Sequence, residues 1–96
     1  MKIQTFDSVW DAISPTLEEA ENMKVRSQLM MALNSLIEKR ALNAHDAAAL
    51  LGVSQPRISE LAKGKIQLFS VDKLINMLAH AGLHIGTIEI RESVAA

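Results

Sequence analysis

A sharp bend between two short helical segments constrains the fold of this chain more than any other feature. An apolar helical pattern runs up to Leu51 and stops at Gly52, and Ser54 can cap a second helix two residues later. In that second helix Ile58 and Leu61 are three residues apart and share one face. The spacing predicts two short helices that meet at an angle, with the second packed by one face only.

The complete motif is predicted to extend from Asn43 to Lys65 as a helix-turn-helix. If the apolar pair of the second helix faces inward, about 100° of rotation per residue turns several other side chains outward or onto the flanks. These side chains are Gln55, Pro56, Arg57, Ser59, Glu60 and Lys63. A protruding helix with an exposed polar face fits the major groove of DNA. The alternative interpretation is an ordinary solvated helix face.

Each of these side chains offers a different contact to DNA. Gln55 could pair with adenine, Arg57 with guanine or a phosphate, and Ser59 with either base. Pro56 could touch only a thymine methyl group. Glu60 is ambiguous, because it could accept from cytosine but would repel phosphates.

Phosphate contacts are predicted at two lysines, Lys63 and Lys65, and at the capped helix N-termini of Asn43 and Ser54. The charge distribution agrees with this prediction. The chain has a net charge of −1, but residues 24–73 hold eight basic and four acidic residues, whereas residues 1–23 have a net charge of −4. A local basic patch is what binding to a polyanion requires.

Helical patterns on both sides of the motif predict an all-α domain of five helices. A long helix precedes the motif and ends near Ala41. It begins either at Ser14, with Pro15 in the first helical position, or at Thr16, with Glu19 completing a capping box. Its apolar stripe consists of Val25, Leu29, Met30, Leu33, Leu36 and Ile37.

The last helix is predicted to begin after Ser70 and to end at Gly82, with Leu68 and Phe69 covering the core before it. From Leu83 to Ile90 the β-branched content rises, which predicts one strand carrying Leu83, Ile85, Ile88 and Ile90. A single strand needs a partner. It either covers its own protomer or pairs with a second copy, and we favour a homodimer that would hold two recognition helices about 34 Å apart.

Residues 1–23 form an acidic N-terminal segment ahead of the helix-turn-helix domain of residues 24–82, and residues 83–96 form the dimerising strand and tail. The spacing predicts in this segment a short amphipathic helix whose apolar face is Phe6, Val9, Trp10 and Ile13. This face either docks on the domain's own helices or binds a partner protein in a groove. The acidic flank favours a basic partner.

Composition excludes several other classes of protein. The chain has no cysteine, which excludes disulfides and thiolate metal sites. No apolar run approaches the length of about 18 residues that spans a bilayer, and no signal peptide is legible, so we expect a cytoplasmic protein. His80 and His84 are four residues apart, but Gly82 separates them and a structural role is favoured over a metal site. We expect no cofactor and no enzyme activity, because no catalytic signature is present.

From about Leu36 to Leu83 the chain resembles the Xre/Cro family of helix-turn-helix repressors, through AAALLGVSQPRISELAKGK and LFSVDKLINMLAHAGL. The segment SQPRIS followed by GK is the most specific part. The resemblance implies a lambda-repressor-like fold that binds a pseudo-palindromic DNA operator. In that family a Gln often opens the first motif helix and binds phosphate, whereas Ala44 or His45 stands at that place here.

The lead-in ENMKVRSQLMMALNSLIEKRAL and the strand after AHAGL are similar to HigA-type antitoxins of toxin-antitoxin pairs. This second resemblance implies dimeric operator binding, autorepression, and neutralisation of a small basic toxin, a RelE-like ribonuclease. A stand-alone, phage-like regulator without a toxin is the alternative.

Overall fold

A computed structural model describes residues 16–92, and over this range the chain forms four α-helices and one short 3-10 turn. In chain order they are α1 Leu17–Lys39, α2 Ala44–Leu51, α3 Gln55–Ala62, the 3-10 turn Ile66–Leu68 and α4 Val71–His80. The all-α prediction is confirmed. The count of five helices is not supported by residues 16–92, and the helix predicted over Phe6, Val9, Trp10 and Ile13 lies outside them.

The start of α1 is fixed by a capping box, the second of the two predicted alternatives. The Glu19 amide donates to Thr16 Oγ1 at 3.1 Å, and the Thr16 amide donates to Glu19 Oε1 at 3.0 Å. Its end at Lys39 lies two residues before the predicted one. None of the described helices has the length and apolar character needed to cross a membrane.

The core lies where the four helices meet, and its largest fully buried side chains come from all of them and from the segment before α4. They are Leu33, Leu51, Leu61, Phe69, Leu74 and Met77. Each such side chain stabilises the fold by about 1.5–3 kcal/mol through burial of apolar surface. Because Leu61 is part of this core, one face of α3 is anchored to it.

The core predictions for Val25 and Leu68 were wrong. Val25 is 40% exposed, because the buried residues of α1 begin only at Met30 and residues 16–25 are all exposed. Leu68 is 42% exposed, whereas its neighbour Phe69 is 2% exposed and fills the core as predicted. In the turn from α3 to α4, one aromatic ring therefore takes the place that two side chains were expected to share.

Residues 83–92, which we call the tail, contain no regular secondary structure. The prediction of a strand from Leu83 to Ile90 is therefore not supported in the single chain. Leu83 is half-buried against the core, but Ile85, Ile88 and Ile90 are 42%, 67% and 85% exposed. The physical reason is that β-structure consists of hydrogen bonds to a neighbouring strand, and residues 16–92 contain no second strand with which the tail could pair.

Candidate nucleic-acid interface

The bend between α2 and α3 depends on Gly52. Its φ of 71° lies in the left-handed region, and its amide donates to the Ala48 carbonyl, which ends α2 as predicted. A Cβ at this position would also lie 2.9 Å from the His80 imidazole. His80 Nδ1 lies 3.0 Å from the Leu50 carbonyl oxygen, so it donates there and joins α4 to the bend. Backbone conformation and close packing both require glycine here.

The two helix N-termini of the motif are built differently. Asn43 caps α2 as predicted, because its Oδ1 accepts the Asp46 amide at 2.8 Å. Ser54 has the extended backbone of a cap, but its hydroxyl makes no capping hydrogen bond. Pro56 follows in the first turn of α3, where a missing N–H does no harm. The exposed Ser54 hydroxyl is therefore not used to cap α3.

The predicted inward and outward faces of α3 are present. Ile58 is 6% exposed and Leu61 is fully buried, whereas Gln55, Pro56, Ser59 and Lys63 are all exposed. Since residues four apart on a helix have Cβ atoms about 5–6 Å apart, Gln55, Ser59 and Lys63 form one continuous row. We call these three residues the α3 row. Lys65 is exposed just beyond the end of the helix.

Arg57 does not extend freely from the flank of α3. Its Nη1 donates to Glu60 Oε1 at 3.0 Å and to the Leu68 carbonyl oxygen at 3.2 Å. Its guanidinium carbon also lies 5.4 Å from the centre of the Phe69 ring, within the range of a cation–π interaction. The side chain thus joins α3 to the 3-10 turn, and a two-pronged contact to guanine would require it to leave these partners.

The same contact explains Glu60, whose role the sequence left ambiguous. Its carboxylate pairs with Arg57, and the two side chains are only 32% and 36% exposed. The positive partner offsets the negative charge that would otherwise repel DNA phosphates. Glu60 therefore stabilises α3 through its pair with Arg57, and it is not part of the α3 row.

Two side chains from α1 hold this region in place, and neither was predicted from the sequence. Arg26 Nη1 donates to the Ile66 carbonyl at 2.9 Å and lies 3.5 Å from the Phe69 carbonyl. Asn34 Nδ2 donates to the Leu61 carbonyl at 3.0 Å, at the C-terminal end of α3. A signal for Arg26 exists: it lies four residues before Met30 and seven before Leu33, so it shares their core-facing side of α1.

The basic residues of the 24–73 segment divide into two sets. Arg26 and Arg57 are half-buried and donate to protein oxygens. The other six are exposed: Lys24, Lys39, Arg40, Lys63, Lys65 and Lys73. Lys63 and Lys65 place two exposed positive charges at the C-terminal end of α3.

The two histidines considered for a metal site have separate surroundings. His80 contacts the Leu50 carbonyl, and His84 lies in the tail. Among residues 16–92, no group of three or more His, Asp or Glu side chains is placed to hold a metal ion.

Comparison with known proteins finds similarity to a protein family and to solved structures. The model of the family HTH_37, described as a helix-turn-helix domain, matches residues 14–91, which include all four helices. A solved structure assigned to the XRE family of transcriptional regulators aligns with a TM-score of 0.69 and 30% sequence identity, covering 80% of this chain and 86% of that one. No curated protein matches the sequence.

Proposed function

This chain belongs to the XRE family of helix-turn-helix DNA-binding transcriptional regulators, and we propose that it is a repressor that reads its operator with α3. The observation that carries this proposal is the α3 row, an exposed set of polar side chains on a short helix whose opposite face is buried. A helix held in this way can enter the major groove without unpacking the core.

Within this interface we assign base contacts to Gln55 and Ser59, and a thymine methyl contact to Pro56. Lys63 and Lys65 would contact phosphates, as would the N-terminal ends of α2 and α3 at Asn43 and Ser54. Arg57 is better suited to a single phosphate contact than to reading guanine, because one of its terminal nitrogens is already engaged. Because the guanidinium of Arg57 is engaged, we assign base reading to Gln55 and Ser59.

The finer proposal for assembly is a homodimer that pairs through residues 83–90. The exposed Ile85, Ile88 and Ile90 support it, as does an apolar groove of about 300 Å³ between α4 and the tail, lined in part by Ile75 and Leu83. Pairing of two tails would hold two copies of α3 about 34 Å apart, the spacing of a pseudo-palindromic operator. Sedimentation at tens of micromolar tests it, and a monomer there would contradict it.

The finer proposal for biological role is an antitoxin that represses its own operon and neutralises a RelE-like ribonuclease. It is supported by the acidic residues at the start of α1, of which Glu18, Glu19 and Glu21 are exposed, and by the resemblance of the sequence to HigA-type antitoxins. Removing residues 1–13 keeps the Thr16 capping box. We expect this truncation to leave the melting temperature unchanged and to abolish binding of a small basic protein encoded beside the gene. A large loss of stability, or an unrelated neighbouring gene, would favour the stand-alone regulator.

DNA reading is tested by selecting bound duplexes from a random library and comparing two glutamine variants. Gln55→Ala removes a proposed base contact, and Gln28→Ala removes an exposed glutamine on α1. We expect Gln55→Ala to weaken binding of the selected duplex by about 1–3 kcal/mol and to relax preference at one base position. Equal binding by both variants would contradict the assignment, and failure of the wild-type chain to enrich any duplex would contradict DNA reading itself.

A further inference from the structure

Two arginines from different helices grip the chain segment between α3 and α4. Arg26 reaches from α1 to the carbonyls of Ile66 and Phe69, at 2.9 and 3.5 Å. Arg57 reaches from α3 to the intervening carbonyl of Leu68 at 3.2 Å. We call the two side chains and these three carbonyls the arginine clamp. Its members are far apart in sequence, since Arg26 lies 40 residues before Ile66.

Further contacts hold both Arg26 and the segment in place. On α1, the Nε of Arg26 donates to Asn22 Oδ1 at 2.6 Å, so a second nitrogen of the guanidinium is also held. On the segment, Phe69 is 2% exposed and lies under the guanidinium of Arg57. Hydrogen bonds from charged donors are about twice as strong as neutral ones, so these contacts resist displacement of the segment.

Because the segment follows α3 directly, its position fixes where the helix ends. The Gly64 and Lys65 amides donate to the Leu61 and Glu60 carbonyls, and the Ile66 amide donates to the Gly64 carbonyl. Arg57, which is held within α3 by Glu60, joins the segment back to α3 through the Leu68 carbonyl. Movement of the segment would therefore tilt α3 and displace Lys65.

We propose that Arg26 is a positioning residue for DNA recognition: from α1, and without touching DNA, it holds the segment that sets the angle of α3. The inference rests on the proposed function, because it assumes that the α3 row reads bases. It goes beyond that function by assigning part of the specificity to a residue on α1, outside the helix-turn-helix motif. A recognition helix whose angle is free still meets phosphates, but it cannot present its side chains to base edges in a fixed register.

The test uses a pair of variants that remove the same charge from the same helix. Arg26→Ala breaks the clamp, whereas Lys24→Ala removes a side chain that is 62% exposed and pairs with Glu21 at 3.5 Å. Binding is measured for the selected duplex and for a scrambled duplex of equal length, over a range of salt concentrations. Circular dichroism first sets a temperature at which each variant is folded.

We expect Arg26→Ala to weaken binding of the selected duplex by about tenfold relative to Lys24→Ala, or about 1.4 kcal/mol, because α3 is no longer held at one angle. Binding of the scrambled duplex and its salt slope should match those of Lys24→Ala, because no phosphate contact is lost. Arg26→Lys keeps the charge but not the forked geometry, so its selectivity should be intermediate.

Three outcomes would overturn the proposal. Arg26→Ala could show the same selectivity as Lys24→Ala, or Arg26→Lys could restore full selectivity, which would leave only a charge effect. Alternatively, both duplexes could weaken equally with a salt slope reduced by about one, which would make Arg26 a phosphate contact.

A second measurement does not depend on DNA. The amides of Leu68 and Phe69 donate within the segment, to the Lys65 carbonyl at 3.0 Å and to the Ile66 carbonyl at 3.2 Å. In Arg26→Ala their hydrogen exchange should be at least about tenfold faster, while the amide of Leu33 in α1 keeps its protection. Unchanged exchange overturns the clamp even if DNA binding is normal. Faster exchange in a protein that binds no DNA leaves the clamp standing and refutes the proposed function.

Discussion

The helix-turn-helix with its following segment, residues 43–69, and the tail, residues 83–92, are both rich in branched apolar residues, but their surroundings differ completely. In the first region a cap, a left-handed glycine and contacts from α1 fix each turn. In the tail, Ile88 and Ile90 are 67% and 85% exposed, and Arg91 forms a surface ion pair with Glu89. Local signals and intrachain packing suffice for the first region, whereas the second contains apolar residues that the rest of residues 16–92 does not bury.

The largest difference between the two regions should appear in paired alanine variants. Leu61 is fully buried beneath α3, so Leu61→Ala should lower the free energy of unfolding by about 2–5 kcal/mol through lost burial and a residual cavity. Ile88→Ala removes an equally apolar side chain from the tail, and under monomeric conditions it should change stability by less than about 0.5 kcal/mol. Urea denaturation at low protein concentration measures both values.

At higher protein concentration, Ile88→Ala also tests whether the tail pairs with a second copy. If tails pair between copies, Ile88→Ala should weaken self-association in sedimentation, while the solvent-exposed control Met31→Ala on α1 should not. A stability loss for Ile88→Ala that is independent of concentration would mean that the tail is packed within one chain, and the contrast between the two regions would be wrong.

Glycine-to-alanine variants in the two regions should differ in stability by a smaller amount. Gly52→Ala combines a left-handed φ with a contact of 2.9 Å to His80, and we expect a loss of about 2 kcal/mol. Gly64 has a φ of 70°, and a Cβ there would meet nothing within 4 Å, so Gly64→Ala should show only the backbone contribution of about 1 kcal/mol. Gly86→Ala in the tail also meets nothing within 4 Å and should be nearly neutral. Urea denaturation of the three variants measures these losses.

The double variant Gly52→Ala with His80→Ala isolates the contact with the ring. Removing the imidazole should make the alanine at position 52 less damaging than it is in the presence of His80, measured against His80→Ala alone. Purely additive effects would show that backbone strain accounts for the whole loss and that the close approach of His80 contributes nothing.

The sequence predicted the features that depend on neighbouring residues and missed those that depend on distant contacts. The caps at Asn43 and Ser70, the bend at Gly52 and the inward face of α3 follow from signals within a few residues, and each is confirmed. The contacts of Arg26 and Arg57 with the segment between α3 and α4 could not be obtained in this way, because the acceptors there are backbone carbonyls, which every residue carries. The tail was predicted as a strand from its composition, but a strand is defined by its neighbour, and composition does not name the neighbour.

The smallest predicted effect tests whether a capping position needs a capping contact. Asn43→Ala removes a side chain that accepts the Asp46 amide, and it should lower the free energy of unfolding by about 1 kcal/mol. Ser54→Ala occupies the equivalent position of α3 but loses no such bond, so its stability should change by less than about 0.5 kcal/mol. Equal losses would show that the Ser54 hydroxyl caps α3 in solution. Ser54→Ala could instead keep its stability and weaken binding of selected and scrambled duplexes alike. That result would make the Ser54 hydroxyl a phosphate contact. The N-terminus of α3 would then lack a side-chain cap because its partner is the DNA backbone.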